Sequence, residues 1–169
     1  MATILKSNER VFREDPDRID GFRLFSDISR EEKGIKPRQL IFDLRQLNPD
    51  QYCCPYHFHR YAEELFMITS GSATLRTPAG LETVNSGDLI FFETGETGAH
   101  QLYNHTEEPC VYLDIRTFTG FDVCEYPDSN KVNFMPMDEI FNRDSQVNYF
   151  DGEENIHDKW ETCKHGTKG

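Results

Sequence analysis

Two histidines stand one residue apart in the segment Pro55–Leu75, PYHFHRYAEELFMITSGSATL, and two glutamates follow them closely. If a strand carries His57 and His59, both imidazoles face the same side, with Cα atoms ~6.7 Å apart. Glu64 begins the next apolar run, EELFMIT, and a tight connection returns its carboxylate to that face. His100 lies in a further predicted strand, AHQLYN. These imidazole and carboxylate groups suit Mn, Fe, Ni, Zn or Co, with a coordination position left open for water or substrate.

The elements that must position these side chains are short strands. Residues 38–47, RQLIFDLRQL, form the first clear predicted strand, and brief apolar runs then alternate with breakers such as Ser70-Gly71 and Ser86-Gly87-Asp88. Strands at this spacing, separated by glycine and proline turns, indicate an antiparallel sandwich or barrel. No segment sustains a helical period of about 3.6 residues. The predicted fold class is therefore all-β.

The pattern divides the chain into three parts. Residues 1–37 are polar and charge-rich, which predicts an N-terminal extension of short strands and loops. Residues 38–118 carry the regular strand pattern and are predicted to form the barrel. After Thr119 the pattern weakens, so residues 119–169 are predicted as a C-terminal extension with a short helix beginning near Asp138 and an acidic tail. A length of 169 residues suits one domain with a sizeable core.

The charge balance excludes several classes of partner. The 30 Asp and Glu residues outnumber the 18 Lys and Arg residues, so the formal net charge is −12. Such a surface repels phosphate backbones and anionic membranes, and we expect neither nucleic acid nor a membrane as a partner. We expect no signal peptide at the N-terminus, and no stretch approaches the ~20 apolar residues of a membrane helix. The five cysteines are odd in number and irregularly spaced, which indicates free thiols in a reducing cytoplasm.

The histidine-containing segment resembles the first motif of the cupin family. It reads His57-x-His59, four residues, Glu64, six residues, Gly71. A second, partial match reads Gly87, five residues, Glu93, x, Gly95, four residues, His100, three residues, Asn104. In this second motif, glutamate replaces the family's proline at position 93, and four residues instead of two precede the histidine. The glycine that normally precedes the first motif is also missing, because Gln51 or Tyr52 occupies its place. The stretches GAHQLYN and DVCEYPDSNKV also resemble a bacterial cupin subgroup without an assigned reaction.

The resemblance implies a double-stranded β-helix, a small jelly-roll barrel with a metal inside. The residues that match the family's metal ligands are His57, His59, Glu64 and His100, and the implied cofactor is a divalent transition metal. The implied function is a metal-dependent enzyme that acts on a small molecule by oxygenase, decarboxylase or isomerase chemistry. The alternatives are a non-catalytic small-ligand binding or sensing module and a scaffold whose histidines are hydrogen-bonded core residues. Because such barrels hide an edge strand by pairing, we expect a homodimer.

Several residues near the predicted ligands have competing interpretations. Glu63 is the rival of Glu64, but adjacent strand residues face opposite sides and the motif spacing favours Glu64. Tyr61 shares the parity of the histidine pair and is a candidate hydrogen-bond partner or general acid. Asn104 either lies near the metal or holds a turn at the strand end.

The remaining residues in question lie further along the chain. His105 is predicted to face solvent, and the tail histidines, His157 and His165, are predicted to lie outside the metal site. In the last barrel strand, either Cys110 and Tyr112 or Val111 and Leu113 face inward. Since imidazoles must be neutral to bind a metal, release is expected to begin below about pH 6.

Overall fold

The computed structural model describes residues 2–165, with side chains up to residue 161. Its regular structure is almost entirely β, which confirms the predicted fold class. The strands of the described residues are β1 (Phe12–Glu14), β2 (Phe25–Asp27), β3 (Leu40–Leu47), β4 (Phe58–His59), β5 (Glu64–Ser70), β6 (Ser72–Thr77), β7 (Gly80–Asn85), β8 (Leu89–Phe92), β9 (Gln101–Tyr103), β10 (Cys110–Thr117), β11 (Asp122–Tyr126), β12 (Lys131–Met135) and β13 (Glu139–Asn142). The α-helices are α1 (Ser29–Glu32) and α2 (Ile156–His165). Within residues 2–165, no helix combines the length and the apolar character needed to cross a membrane.

The strands pair antiparallel in three sheets. The largest has the order β1-β2-β3-β10-β5-β8, a second has the order β7-β6-β9, and a third has the order β13-β12-β11-β4. Two hydrogen bonds between His57 and His100 link the segment before β4 to the segment before β9. The sheets therefore wrap around a common interior, as a jelly-roll barrel requires.

Alternating side chains from the sheets fill this interior. In β5, Phe66 and Ile68 are buried, whereas Met67 between them is exposed. In β10, Cys110 and Tyr112 face inward, which decides the question that the sequence left open. The core cluster of the described residues comprises Leu24, Leu47, Cys53, Phe66, Ile68, Ala73, Leu75, Val84, Phe92, Leu102, Cys110 and Tyr112.

The turn between β5 and β6 depends on a glycine. Gly71 has φ +77°, in the left-handed region that favours glycine. A Cβ atom there would lie 2.6 Å from the carbonyl oxygen of Pro109, closer than van der Waals contact allows. The turn therefore brings the backbone of β5 against the start of β10 at a distance that only glycine permits.

The prediction of a helix beginning near Asp138 is wrong. Residues 139–142 form β13, which pairs with β12 through Phe134 and Glu139 at one end of the ladder. Asp138 lies in the connecting turn with φ 55°, so the backbone reverses there instead of starting a helix. The helix of this region is α2, further along the chain. Strands thus continue well past residue 118, and β11 pairs with β4, the strand of the histidine pair.

Candidate metal centre

The four residues that match the metal-ligand positions lie on three separate parts of the barrel. His57 and His59 flank Phe58 in and before β4, Glu64 opens β5, and His100 immediately precedes β9. The His57 N–H donates to the carbonyl oxygen of His100 at 3.2 Å, and the His100 N–H donates back at 2.9 Å. This reciprocal pair of bonds holds the two backbones in register, so their imidazoles enter the same interior space.

All four side chains are buried, and their possible ligand atoms form two overlapping groups, His57 with Glu64 and His100, and His57 with His59 and Cys124. The Glu64 Oε2 atom lies 3.1 Å from His100 Nε2 and 3.5 Å from His59 Nε2. The His57 ring centroid is 4.7 Å from that of His100 and 5.1 Å from that of His59. The structure thus brings together each of the residues that the sequence singled out as a candidate ligand.

Hydrogen bonds on the far side of each ring set the tautomer of all three imidazoles. Nδ1 of His57 lies 3.0 Å from the carbonyl oxygen of Pro55, and Nδ1 of His100 lies 2.9 Å from that of Gly98. Since a carbonyl oxygen only accepts, both Nδ1 atoms must carry the hydrogen. Nδ1 of His59 lies 2.6 Å from the carboxylate of Asp122, which likewise accepts. Each neutral ring therefore presents the lone pair of its Nε2 atom to the interior.

Three of the converging atoms have no hydrogen-bond partner. They are His59 Nε2, His100 Nε2 and Glu64 Oε2, all buried away from solvent. Although His100 Nε2 and Glu64 Oε2 are only 3.1 Å apart, the contact lacks hydrogen-bond geometry. Unpaired buried polar atoms are rare because each costs about 1–3 kcal/mol. A cation bound between these lone pairs would satisfy all three, so the donor set fits a divalent metal of the Zn, Fe, Mn, Co or Ni type.

Burial and mutual charge shift the titration of this cluster. Burial, with a further contribution from His100, lowers the pKa of His57 to about 3, so this ring is neutral at physiological pH. Burial works against ionisation of Glu64, but contact with His100 and the neighbouring imidazoles hold its pKa well below the usual range. Burial also opposes charge on His100, yet the Glu64 carboxylate outweighs it and raises the pKa of His100.

Aromatic rings close the side of the centre that faces the core. Phe92 stacks on the His100 ring with 3.7 Å between centroids, and Phe66 meets the same ring edge-on at 5.3 Å. These rings exclude water from behind His100 and lower the local dielectric, which strengthens charge interactions at the centre. Access to the centre must therefore come from the side of His57 and His59.

The loop before His100 accommodates its two additional residues as a single 3-10 turn, Glu96–Gly98. A Cβ atom on Gly98 would lie 1.9 Å from the carbonyl oxygen of Glu93, so the turn closes tightly against the preceding segment. The Gly98 carbonyl then accepts the hydrogen bond from His100. The insertion therefore leaves the strand parity unchanged, and His100 faces inward.

Sequence reasoning missed two residues of the centre, both in β11. Asp122 is only 1% exposed and holds His59, while its other oxygen accepts the backbone N–H groups of Tyr61 and Val123. Cys124 lies directly opposite His59 in the strand register, and its sulfur is within 4.8 Å of imidazole nitrogens of His57 and His59. Burial raises the pKa of Cys124 to about 12, so the group is a neutral thiol near pH 7. The sequence shows that Asp122 and Cys124 share one face of a strand, but it does not show that β11 pairs with β4.

A second buried carboxyl group lies beside the ligand set. Oδ2 of Asp114, in β10, lies 3.0 Å from Nε of Arg45. Burial raises the pKa of Asp114 to about 8, and the adjacent Glu64 carboxylate adds to the rise against the opposing charge of Arg45. No sequence pattern indicates this group, because its position depends on the register between β10 and β5.

The other candidate residues lie outside the converging set. Tyr61 is 59% exposed and its ring lies near Phe121, so it does not hydrogen-bond a ligand. Glu63 is exposed, as its strand parity predicted. Asn104 is fully buried and holds a turn, donating to the carbonyl oxygens of Leu47 and Glu108.

The outlying histidines also lie apart from the centre. His105 contacts the Thr74 hydroxyl, with Nδ1 and Oγ1 2.9 Å apart, on the exposed side of the molecule. His157 is exposed in α2. The side chain of His165 lies outside the described residues.

A cleft of about 620 Å³ opens onto the imidazoles of His57 and His59. Aromatic, charged and polar side chains from five parts of the chain form its walls. They are Asp17, Arg18, Ile19, Phe22, Cys54, Pro55, Tyr56, His57, His59, Gln101, Arg116, Cys124, Tyr126, Asp128, Ser129, Lys131 and Met135. This volume suits a small molecule with access to the metal position.

The fold and this interior cluster define a small jelly-roll protein whose interior holds three imidazoles and one carboxylate. Residues 44–116 match the sequence family described as the cupin domain. This match covers the barrel residues and supports the cupin superfamily. No functionally curated protein has a sequence that matches this chain.

Several solved structures share the fold. The sugar phosphate isomerase from Silicibacter pomeroyi, of a cupin superfamily, is 22% identical, with 88% of this chain and 98% of that chain covered at a TM-score of 0.72. A protein from Acidithiobacillus ferrooxidans, also named for sugar phosphate isomerase activity, is 22% identical. The alignment covers 86% of this chain and 95% of that chain, at a TM-score of 0.74. A predicted oxalate decarboxylase from Thermotoga maritima is 19% identical, with 69% of this chain and 99% of that chain covered at a TM-score of 0.54. At these identities the similarity shows a common fold.

Proposed function

We propose that this chain is a metal-dependent enzyme that acts on a small molecule. His57, His59, Glu64 and His100 would hold one divalent transition metal at the bottom of the cleft. The observation that carries the proposal is that the Nε2 atoms of His59 and His100 lie 3.5 and 3.1 Å from Oε2 of the buried Glu64, and none of these three atoms has a hydrogen-bond partner. A scaffold of satisfied core histidines would instead pair these atoms with one another.

The residues around the centre support catalysis at an oxygen atom of the substrate. When bound, the metal would supply Lewis-acid polarisation of a carbonyl, carboxylate or hydroxyl oxygen. His57 and His59 line the cleft, so a substrate would approach from their side. Asp122 holds His59 in the ligating tautomer, and the Phe92 ring keeps water from the back of His100. The sugar phosphate isomerases and the predicted oxalate decarboxylase that share this fold are named for small-molecule reactions, which agrees with the size of the cleft.

Tyr126 is the group that we propose as a hydrogen-bond or proton donor to the substrate. It lines the cleft, and its ring stacks near that of His57 with 6.0 Å between centroids. Burial raises the pKa of its hydroxyl well above the usual range of a phenol in water. At neutral pH the Tyr126 hydroxyl therefore keeps its proton and can donate it to a developing negative charge on a substrate oxygen.

Elemental analysis of untagged protein tests the metal site. Wild type is expected to contain close to one equivalent of a transition metal, and His59→Ala is expected to lose most of it. The matched control is His105→Ala, which removes an exposed imidazole outside the cleft and should retain the metal. If wild type and His59→Ala contain the same trace amount, the proposal fails.

Turnover separates an enzyme from a binding module. Metal-loaded protein would be incubated with keto acids, sugars, sugar phosphates and phenols, with and without oxygen, and the products followed by mass spectrometry. Consumption of one compound, lost in His59→Ala, is the expected result. A compound that binds stoichiometrically and is recovered unchanged would identify a small-ligand binding or sensing module instead.

Two further properties belong to this proposal. The four cysteines whose side chains are described, Cys53, Cys54, Cys110 and Cys124, are free thiols, which supports a reducing cytoplasm as the location. The edge strands of the sheets support a homodimer, because an exposed edge favours pairing with a second copy.

A further inference from the structure

We propose that Arg116 is an anion-binding residue of the cleft, so that the ligand is a small molecule bearing a carboxylate or phosphate group. This inference deepens the proposed function. The anionic group would lie against the Arg116 guanidinium while a second oxygen of the same molecule reaches the metal position. The inference rests on the direction of this side chain, on the absence of a hydrogen bond or ion pair to any described residue, and on the charge of the cleft walls.

Strand register places Arg116 beside the metal centre. In the pairing of β10 with β5, Arg116 lies directly opposite Glu64, and directly opposed residues project from the same face of a sheet. Arg116 also has the same parity as Asp114 and Tyr112, both buried inside the barrel. Its side chain lines the same cleft as His57 and His59. The guanidinium therefore faces the space in front of the ligand set.

Arg116 makes no hydrogen bond or ion pair with any described residue, although a carboxylate stands directly opposite it. Other partly buried arginines form ion pairs within the protein. Arg45 contacts Asp114 at 3.0 Å, and Arg30 contacts Asp43 at 2.8 Å. A guanidinium has five N–H donors in a planar fork, which matches two oxygens of a carboxylate or phosphate. The half-buried Arg116 guanidinium lines the cleft without a hydrogen bond or ion pair to a described residue, so its N–H groups are available to an anionic ligand.

The other charges along the cleft leave a local excess of uncommitted positive groups. Lys131 also makes no ion pair or hydrogen bond with a described residue, and its nitrogen lies 5.4 Å from the Tyr126 ring centroid. Arg18 is held by the carbonyl oxygen of Cys53 at 2.6 Å.

Two acids line the same cleft. Asp128 is engaged by Arg76 through bonds of 2.6 and 2.9 Å, and Asp17 is exposed at the rim. Among the charged residues that line the cleft, two cations without an ion pair, Arg116 and Lys131, therefore face one carboxylate without an ion pair, Asp17, in a protein whose formal net charge is −12. A cationic cleft on an acidic protein attracts small anions selectively, because the remaining surface repels them.

Isothermal titration calorimetry on metal-loaded protein tests this assignment with matched probes. Glycolate and glycerol 3-phosphate are the anionic probes, with ethylene glycol and glycerol as their neutral counterparts and inorganic phosphate as the minimal anion. We expect at least one anionic probe to bind and both neutral ones to fail. The preferred probe distinguishes a carboxylate ligand from a phosphate ligand. Equal binding of neutral and anionic probes, or no binding of any anion, would overturn the inference.

Substitutions locate the binding to Arg116. Arg116→Gln should lower the affinity for the preferred anion at least tenfold, as expected for the loss of a charged hydrogen bond. Arg116→Lys should give an affinity between those of Arg116→Gln and wild type. Arg13→Gln, an exposed position in β1, removes the same charge outside the cleft and should bind like wild type. Unchanged affinity in Arg116→Gln, with an unfolding midpoint equal to that of wild type, contradicts the inference.

Metal content separates this inference from the proposed function. Arg116→Gln should retain the same metal as wild type, because Arg116 is not a ligand. If wild type contains no metal but still binds an anion in an Arg116-dependent manner, the anion site stands and the metalloenzyme proposal fails. If wild type contains metal and Arg116→Gln binds every anion as tightly as wild type does, the metal site stands and the anion site fails.

Discussion

The substitution Asp122→Asn is expected to weaken metal binding by changing one tautomer. Asp122 Oδ1 accepts the backbone N–H groups of Tyr61 at 3.0 Å and Val123 at 2.8 Å, and Oδ2 accepts from His59 Nδ1 at 2.6 Å. An asparagine of the same shape would keep its only oxygen on the two backbone donors, since those groups have no other acceptor in place. Its NH2 group would then point at His59 Nδ1, which must accept. The hydrogen of the neutral ring moves to Nε2, and the lone pair that faces Glu64 is lost.

The expected loss in metal affinity is about 10- to 100-fold, equivalent to about 1.4–2.7 kcal/mol, the usual effect of removing a carboxylate partner from a ligating histidine. Competition with a chromophoric chelator measures the affinity, and 15N NMR of the histidine rings reports the tautomer directly. Asp138→Asn is the matched control, since it makes the same chemical change in an exposed turn with φ 55°, where asparagine is tolerated. Wild-type affinity in a folded Asp122→Asn protein, or an unchanged His59 tautomer, would refute this reasoning.

Three further outcomes are expected. Gly71→Ala should lower the free energy of unfolding, measured in urea, by about 1–3 kcal/mol, because φ at this position is +77° and the new Cβ would clash with Pro109. The control is Gly120→Ala, where φ is +104° and no atom lies near the new Cβ, so a smaller loss of stability is expected. Equal losses in the two variants would contradict the clash. Metal affinity should fall as the pH decreases through the pKa of His100, because protons then compete with the metal for Nε2. Burial opposes charge on this ring, but the Glu64 carboxylate outweighs it and raises the pKa of His100 above the ordinary value. Chelator competition between about pH 8 and 5 measures the affinity, and an affinity that does not change with pH would contradict this prediction. Sedimentation should give twice the chain mass of 19.7 kDa, and a single-chain mass would exclude the homodimer.

Local patterns predicted much of the fold. Period-two alternation between glycine turns predicted the all-β barrel, and β5 shows the reason, because Glu64, Phe66 and Ile68 all face the interior. The spacing of the histidines and glutamate likewise predicted that these side chains would share one interior space. Their convergence is observed, and metal binding by them stays a proposal that elemental analysis will test.

Non-local pairing was not readable from the chain. The helix predicted near Asp138 is a strand, because β12 offers β13 an open edge and the turn at Asp138 reverses the backbone. Short apolar segments such as EIFN suit a helix or a strand about equally, so the partner decides. The same limit hid Asp122, which lies 63 residues from the His59 ring that it holds.

The amino-acid order by itself determined the strand alternation, the turn glycines and the set of donor types, since these depend on neighbours a few residues apart. Only the tertiary structure decided which strands pair, and with that the tautomer of His59, the thiol of Cys124 beside the imidazoles and the unpartnered guanidinium of Arg116. The physical reason is that a strand's backbone can hydrogen-bond to any available edge, so register is selected by the packing of the whole barrel.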